Sequence, residues 1–285
     1  MSLCHLNGNY LPLADARLSP LDRGFLFGDG AYEVIPVYSR WPFRLDEHLD
    51  RLQRTLDALR LPNPHPAAEW AAIIATVIAG NEWNDQSVYL QITRGADSVR
   101  KHAFPAQIRP TVFLMSEPLH TPDAAQLETG VGAVSAIDYR WLRCDLKTVS
   151  LLANCLLRQM AVDADCAEAV LFRDGFLTEG AASNIFAVRN GVLLAPPKSR
   201  LILPGITYDI ILELAANRGM PNEVREISEA EVRAADELWM TSSTKEVLPI
   251  VTLDGQPIGT GRPGELARRM HGWYQEFKNT VMRHA

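Results

Sequence analysis

Leucines at positions 45, 49, 52, 56 and 59 recur every three or four residues with charged side chains between them. This stripe predicts an amphipathic helix over 45–60, stopped by Pro62. A more apolar segment, 67–79, predicts a second helix, ended by Gly80-Asn81. Around these helices lie runs rich in β-branched and aromatic residues, at 31–38, 87–93 and 110–115, which predict strands. Residues 117–125 hold two prolines and few β-formers, the best place for a linker. Beyond it the pattern predicts a strand at 131–137 and an apolar-faced helix at 150–163. Short strands follow, with hairpin turns at Arg173-Asp174-Gly175 and Arg189-Asn190-Gly191. A helix over 206–218 closes at Gly219, strands fall at 237–241 and 247–253, and a last helix covers about 263–278. The order of elements predicts an α+β fold in two domains, residues 1–118 and 126–285, joined by a linker at 119–125.

The 285 residues suffice for two cores, and 47% hydrophobic with 22% charged residues is an ordinary globular balance. A net charge of −6 argues against a nucleic-acid binder. The start of the chain lacks the pattern of a signal peptide, and the longest apolar run, 70–79, is too short to span a bilayer. The four cysteines, Cys4, Cys144, Cys155 and Cys166, form no C-x-x-C pair, and no H-E-x-x-H occurs, so no metal is expected. The last three recur every eleven residues, which chance and a buried helix explain. A cytoplasmic protein with reduced thiols is expected.

Only five of the 28 basic residues are lysines, and lysine alone supplies an amine that forms a Schiff base. Lys147 ends a basic, aromatic segment, Tyr139-Arg-Trp-Leu-Arg-Cys-Asp-Leu-Lys147, ahead of an apolar helix. The bland alternative is a basic surface strand with Trp141 in the core. Glu179, in Thr178-Glu-Gly-Ala-Ala-Ser-Asn184, is either the acid for a cationic ring nitrogen or a hairpin-turn glutamate. Leu203-Pro-Gly-Ile-Thr207 leads into a helix start suited to phosphate, with Thr207 as a hydroxyl ligand or a plain N-cap. The hydroxyl cluster Thr241-Ser-Ser-Thr244 would add to the same site. Arg51 is a phosphate ligand or a surface charge paired to Glu47. Arg100 and His102, one residue apart in the loop 94–109, would clamp a carboxylate or are simply solvated.

Taken in order, F-G-D-G-x-Y-E-V, E-H-x-D-R-L, T-R-G, R-W-L-R-C-D-x-K, T-E-G-x-x-S-N, L-x-G-I-T and T-S-[ST]-T resemble the fold-type IV pyridoxal 5'-phosphate (PLP) enzymes. The resemblance spans nearly the whole chain, and R-W-L-R-C-D-x-K with the R-x-H pair is most similar to the D-amino-acid aminotransferases. It implies a two-domain α+β fold with PLP between the domains. It also implies that Lys147 carries the cofactor and moves the Cα proton, and that Glu179 pairs with the ring nitrogen. Arg51, Ile206, Thr207 and Ser243 would hold the phosphate, and Leu203 would back the ring. Tyr32, Arg100 and His102 would bind the substrate carboxylate, the last two from the other subunit of a homodimer. Arg140 matches a family position near the active site. Ala181 and Ala182 depart from the pattern, standing where serine is common.

The implied reaction is transamination between a D-amino acid, such as D-alanine, and a 2-oxo acid, such as 2-oxoglutarate. Its alternatives within the fold are a branched-chain L-amino-acid aminotransferase and an aminodeoxychorismate lyase. Amino and oxo acids are the expected small-molecule partners, with neither nucleic acid nor membrane.

Overall fold

The structure, a computed structural model, describes residues 2–283. The chain packs as two compact units. Among the described residues, the first runs to Leu119 and takes in Leu146–Leu151 together with Met282 and Arg283; the second comprises His120–Asp145 and Leu152–Val281.

The first unit contains β1 (Leu3–Leu6), β2 (Asn9–Pro12), α1 (Arg23–Phe27), β3 (Gly30–Tyr38), β4 (Trp41–Pro42), α2 (Leu45–Leu59), α3 (Ala67–Ala79), β5 (Gln86–Thr93) and β6 (Thr111–Pro118). Its strands pair antiparallel in the order β2-β1-β6-β5-β3-β4. Strand side chains alternate between faces, so Ala31, Ile35 and Val37 share one face with Val88, Leu90, Ile92, Val112 and Leu114. The leucine stripe of α2 and the apolar side of α3 (Trp70, Ile73, Ile74, Val77 and Ile78) bury that face. Each leucine so buried contributes roughly 1.5–3 kcal/mol. Asn7-Gly8 joins β1 to β2 with both residues at positive φ, a hairpin the sequence analysis did not place.

The second unit contains α4 (Ala124–Thr129), β7 (Val131–Ile137), α5 (Leu152–Asp163), β8 (Glu168–Arg173), β9 (Phe176–Gly180), β10 (Asn184–Arg189), β11 (Val192–Ala195), α6 (Ile206–Asn217), β12 (Asn222–Val224), α7 (Glu229–Arg233), β13 (Glu237–Ser242), β14 (Glu246–Leu253), β15 (Gln256–Pro257) and α8 (Glu265–Phe277). One mixed sheet has the order β12-β11-β10-β13-β14-β7-β8-β9, with β15 on β14. The β8–β9 and β10–β11 turns lie at Asp174-Gly175 and Asn190-Gly191. All four residues have positive φ, the conformation that type I′ hairpins need. One sheet face carries Ile185, Ala187, Leu238, Met240, Leu248 and Ile250. The other carries Phe186, stacked on Tyr208 of α6 at 5.0 Å between ring centroids.

Three expectations change. Part of the segment read as a linker belongs to α4, whose start is a capping box between Asp123 and Gln126. The helix read over 150–163 begins at Leu152 and buries only Leu157 and Ala161; Trp141 is exposed rather than in the core. The segment with Lys147 packs with the first unit, although in sequence it falls within 126–285. Ala31 and Thr148 form an antiparallel bridge, the Tyr32 N–H donates to the Lys147 carbonyl at 3.0 Å, and the Val149 N–H to that of Gly30 at 3.0 Å. Among the described residues no helix is long and apolar enough to cross a membrane, and no cluster of metal-ligating side chains occurs.

Candidate active site

In the first unit the site is built on β3. Alternation sends Tyr32 to the face away from the helices and Glu33 into the core side. Lys147 Nζ lies 4.2 Å from the Tyr32 ring centroid and has no hydrogen bond or ion pair among the described residues. Its backbone N–H lies 3.4 Å from Thr55 Oγ1 on α2. Tyr32 in turn packs on Tyr89 at 5.6 Å, and burial pushes the Tyr89 phenol up to about 12. Cys144, three residues before Lys147, is an inert thiol, pushed by burial up to about 11.

Behind Tyr32, helical spacing puts His48 and Arg51 on the side of α2 that meets Glu33. Arg51 binds Glu33 in bidentate fashion, Nε to Oε1 at 2.8 Å and Nη2 to Oε2 at 2.7 Å, while His48 Nδ1 lies 2.8 Å from Oε2. Burial opposes the charge on Glu33, yet the Arg51 guanidinium and these hydrogen bonds hold its carboxyl well below the usual range. Burial also pushes His48 down. Arg51 is therefore not a surface charge paired to Glu47, which meets Arg44 instead.

Arg100 and His102 stand in the exposed loop between β5 and β6 and flank one ring, that of Phe27. The Arg100 guanidinium is 5.0 Å and the His102 ring 5.3 Å from its centroid. Beneath the loop, buried Arg23 donates to the carbonyls of Lys101, His102 and Ala103. Its Nε donates to Asp29, which also pairs with Arg94. Arg23, Phe27 and Asp29 do not stand out as functional in the sequence pattern alone. The available signal was an arginine and an aspartate either side of the short, Asp22-capped helix α1.

In the second unit Glu179 sits at the end of β9, buried. Its Oε1 takes Arg140 Nη1 at 2.5 Å, and its Oε2 takes Asn184 Nδ2 at 3.2 Å and the Leu203 N–H at 3.0 Å. Burial pushes the carboxyl up to about 7, against the pull of the Arg140 guanidinium. Asp138 binds Arg140 from behind with both oxygens, at 2.9 Å each, and also meets Arg173 at 3.1 Å. The turn 181–183 is tied to Glu168 by the backbone N–H groups of Ala181 and Ala182 and by the Ser183 hydroxyl at 2.7 Å. The Ala181 and Ala182 N–H groups are thus spent on Glu168.

Asn184 joins this acid to a second feature. It faces Thr241 across the β10–β13 ladder, and a Cβ at Gly205 would come within 2.1 Å of its Oδ1. Gly205 is the N-cap of α6, with no side-chain capping bond, so Thr207 is inside the helix rather than its cap. Ile206 and Thr207 are buried in the first turn, and Ser243 follows β13 in its turn to β14. Thr241 Oγ1 is buried without a hydrogen-bond partner.

These donors fit PLP on two counts. An uncapped helix start under a glycine, beside an orphaned hydroxyl, suits a phosphate dianion. Glu179 Oε1 accepts a single hydrogen bond in the structure and retains a lone pair for a ring N–H.

A family model described as Amino-transferase class IV matches residues 30–253. A D-alanine aminotransferase of Bacillus licheniformis is 38% identical over 93% of this chain and 93% of its own length. One of Staphylococcus epidermidis is 33% identical over 97% of this chain and 98% of its own. Among solved structures, the Escherichia coli branched-chain amino acid aminotransferase superposes with a TM-score of 0.89 at 26% identity, covering 98% of this chain and 94% of that one. A second branched-chain amino acid aminotransferase, from T.th. and solved with pyridoxamine 5'-phosphate, gives 0.89 at 27%, over 96% and 93%.

Proposed function

The chain belongs to the class IV aminotransferases, and on that premise we propose that it exchanges the amino group of a D-amino acid, D-alanine foremost, with a 2-oxo acid such as 2-oxoglutarate. The observation that carries the reading is the amine of Lys147. Lys101, Lys198 and Lys278 are each ion-paired, whereas the Lys147 amine faces an aromatic ring with no acid to hold it as a structural cation. The relatives named above as D-alanine aminotransferases support the choice of substrate.

PLP, when bound, supplies an electron sink for the carbanion at Cα. Lys147 would hold it through Nζ, and its amine would take up and give back the proton at the substrate Cα. Glu179 holds the ring nitrogen in its protonated form, its own charge kept by Arg140 and the Leu203 N–H. The Ile206 and Thr207 N–H groups and the hydroxyls of Thr207 and Ser243 hold the phosphate, with Arg51 oriented by Glu33. Leu203 backs the ring. Tyr32, Arg100 and His102 bind the substrate carboxylate.

Within one chain no hydrogen bond, ion pair or ring contact joins Arg100 or His102 to Tyr32 or Lys147, which supports donation of that pair by a second subunit. Leu152, Leu156 and Met160, at four-residue spacing on α5, form an exposed apolar stripe, and Ile137 of the same unit is 79% exposed. Such a stripe suits a homodimer interface. Four free thiols suit the cytoplasm.

Mixing the purified protein separately with D- and L-alanine tests the substrate. D-alanine should bleach the visible cofactor band and L-alanine should leave it. The branched-chain structures give the alternative its support; bleaching by L-leucine and L-alanine but not by D-alanine would establish it instead.

A further inference from the structure

The loop between β5 and β6 has no regular structure apart from one bridge, Asp22 to Ala96, yet its backbone is held at a definite place. Arg23 is 3% exposed and spends both terminal nitrogens of its guanidinium on that task. Nη1 donates to the carbonyls of Lys101 at 2.7 Å and Ala103 at 3.3 Å, and Nη2 to that of His102 at 3.0 Å. Nε is anchored to Asp29 at 2.8 Å, and the Arg23 N–H donates to Gly95 at 2.9 Å. One buried arginine therefore holds the root of the loop through its backbone N–H and three consecutive carbonyls around His102 through its guanidinium. Its helix also carries Phe27, four residues on, the ring that Arg100 and His102 flank.

Exposed loop side chains otherwise lose entropy when they converge on a ligand. A planar five-donor fork can fix several carbonyls at once, which an ammonium cannot match. We propose that Arg23 is a positioning residue for Arg100 and His102, holding the loop so that the pair is pre-set for the substrate carboxylate. This rests on the assignment of that pair to the carboxylate made above.

The test uses holoenzyme of the wild type, Arg23→Gln, Arg23→Lys and Arg100→Ala. Backbone hydrogen exchange over residues 99–105 and the KM and kcat for D-alanine are measured on each. A carboxylate grip common to ground and transition states appears in KM. Arg23→Gln should raise KM at least about tenfold, the scale of a lost charged hydrogen bond, with little change in kcat. Exchange in the loop should quicken, and cofactor absorbance per subunit should stay at the wild-type level. Arg23→Lys should fall between the two. Unchanged loop exchange in Arg23→Gln overturns the proposal. So does faster exchange with an unchanged KM while Arg100→Ala raises KM. If Arg100→Ala leaves KM unchanged, the carboxylate assignment itself fails and the proposal with it. Should Arg23→Gln not fold, Arg23→Lys decides, and wild-type exchange and KM in that variant overturn it.

Discussion

Arg140 Nη1 lies 2.5 Å from Glu179 Oε1, and the same guanidinium is gripped from behind by both oxygens of Asp138. The pairs form a buried relay of alternating charge, Asp138, Arg140, Glu179. Burial alone would neutralise Glu179; Arg140 opposes that, and Asp138 keeps Arg140 in place and charged. Under the proposed function, a protonated ring nitrogen would complete the carboxylate that this relay prepares.

Reduction of the holoenzyme with borohydride, followed by peptide mapping, should place the cofactor adduct on Lys147. An adduct on Lys101, Lys198, Lys245 or Lys278 would refute the assignment.

Glu179→Gln keeps the volume of the side chain and removes its charge. A charge-assisted hydrogen bond is worth roughly 1.5–3 kcal/mol, so turnover should fall at least about tenfold while PLP still binds. The same group predicts a pH dependence. Its carboxyl titrates near 7 in the cofactor-free chain, and pairing with a cationic ring favours the deprotonated form. PLP affinity of the apoprotein should therefore rise with pH up to about 7 and level off above it. Below 7 it should fall by at most about tenfold per pH unit, since one unit is 1.36 kcal/mol. This component should vanish in Glu179→Gln and move to higher pH in Arg140→Gln, which loses the cation that lowers the carboxyl. A wild-type profile identical to that of Glu179→Gln would contradict the role.

Gly205→Ala adds a Cβ at 2.1 Å from Asn184 Oδ1. Asn184 must shift, and its Nδ2 bonds to Glu179 at 3.2 Å and to the Leu203 carbonyl at 3.0 Å go with it. Overpacking of this kind costs about 1–3 kcal/mol; borne by the cofactor-bound form, that cost would weaken PLP binding roughly five- to 150-fold. Wild-type affinity in titrations of the apo variant would show that Gly205 is not close to the cofactor.

Shared sites are tested by mixing Lys147→Ala with Arg100→Ala, each first shown to be nearly inactive. If the arginine acts in the partner's site, random re-pairing of equal amounts makes half the dimers mixed, each with one intact site. About a quarter of wild-type sites should then return. Activity at the parental level after verified subunit exchange would show that the arginine serves its own chain.

The sequence by itself determined where the chain is helical or extended over most of its length. The leucine stripe of α2, the β-rich run of β3 and the paired turns at Asp174-Gly175 and Asn190-Gly191 stand close to where the pattern placed them. The reason is local: side-chain period follows backbone geometry, and a turn with two positive φ angles selects Asp-Gly and Asn-Gly. The same local logic contained α4 in its Asp123–Gln126 capping box, overlooked beside two prolines. Lys147 and Glu179 stood out as candidates because a scarce lysine and a turn acid belong to an ordered set of motifs.

Only tertiary structure decided who neutralises whom. Arg51 has Glu47 four residues away and is bound instead by Glu33, because β3 runs under α2. Arg140 reaches Glu179 through strands that meet 39 residues apart, and Arg23 holds carbonyls some 80 residues downstream. A buried charge is satisfied by whatever the fold brings within about 3 Å. Periodicity reports which face of an element is covered; it carries no information about which distant group lies across from it.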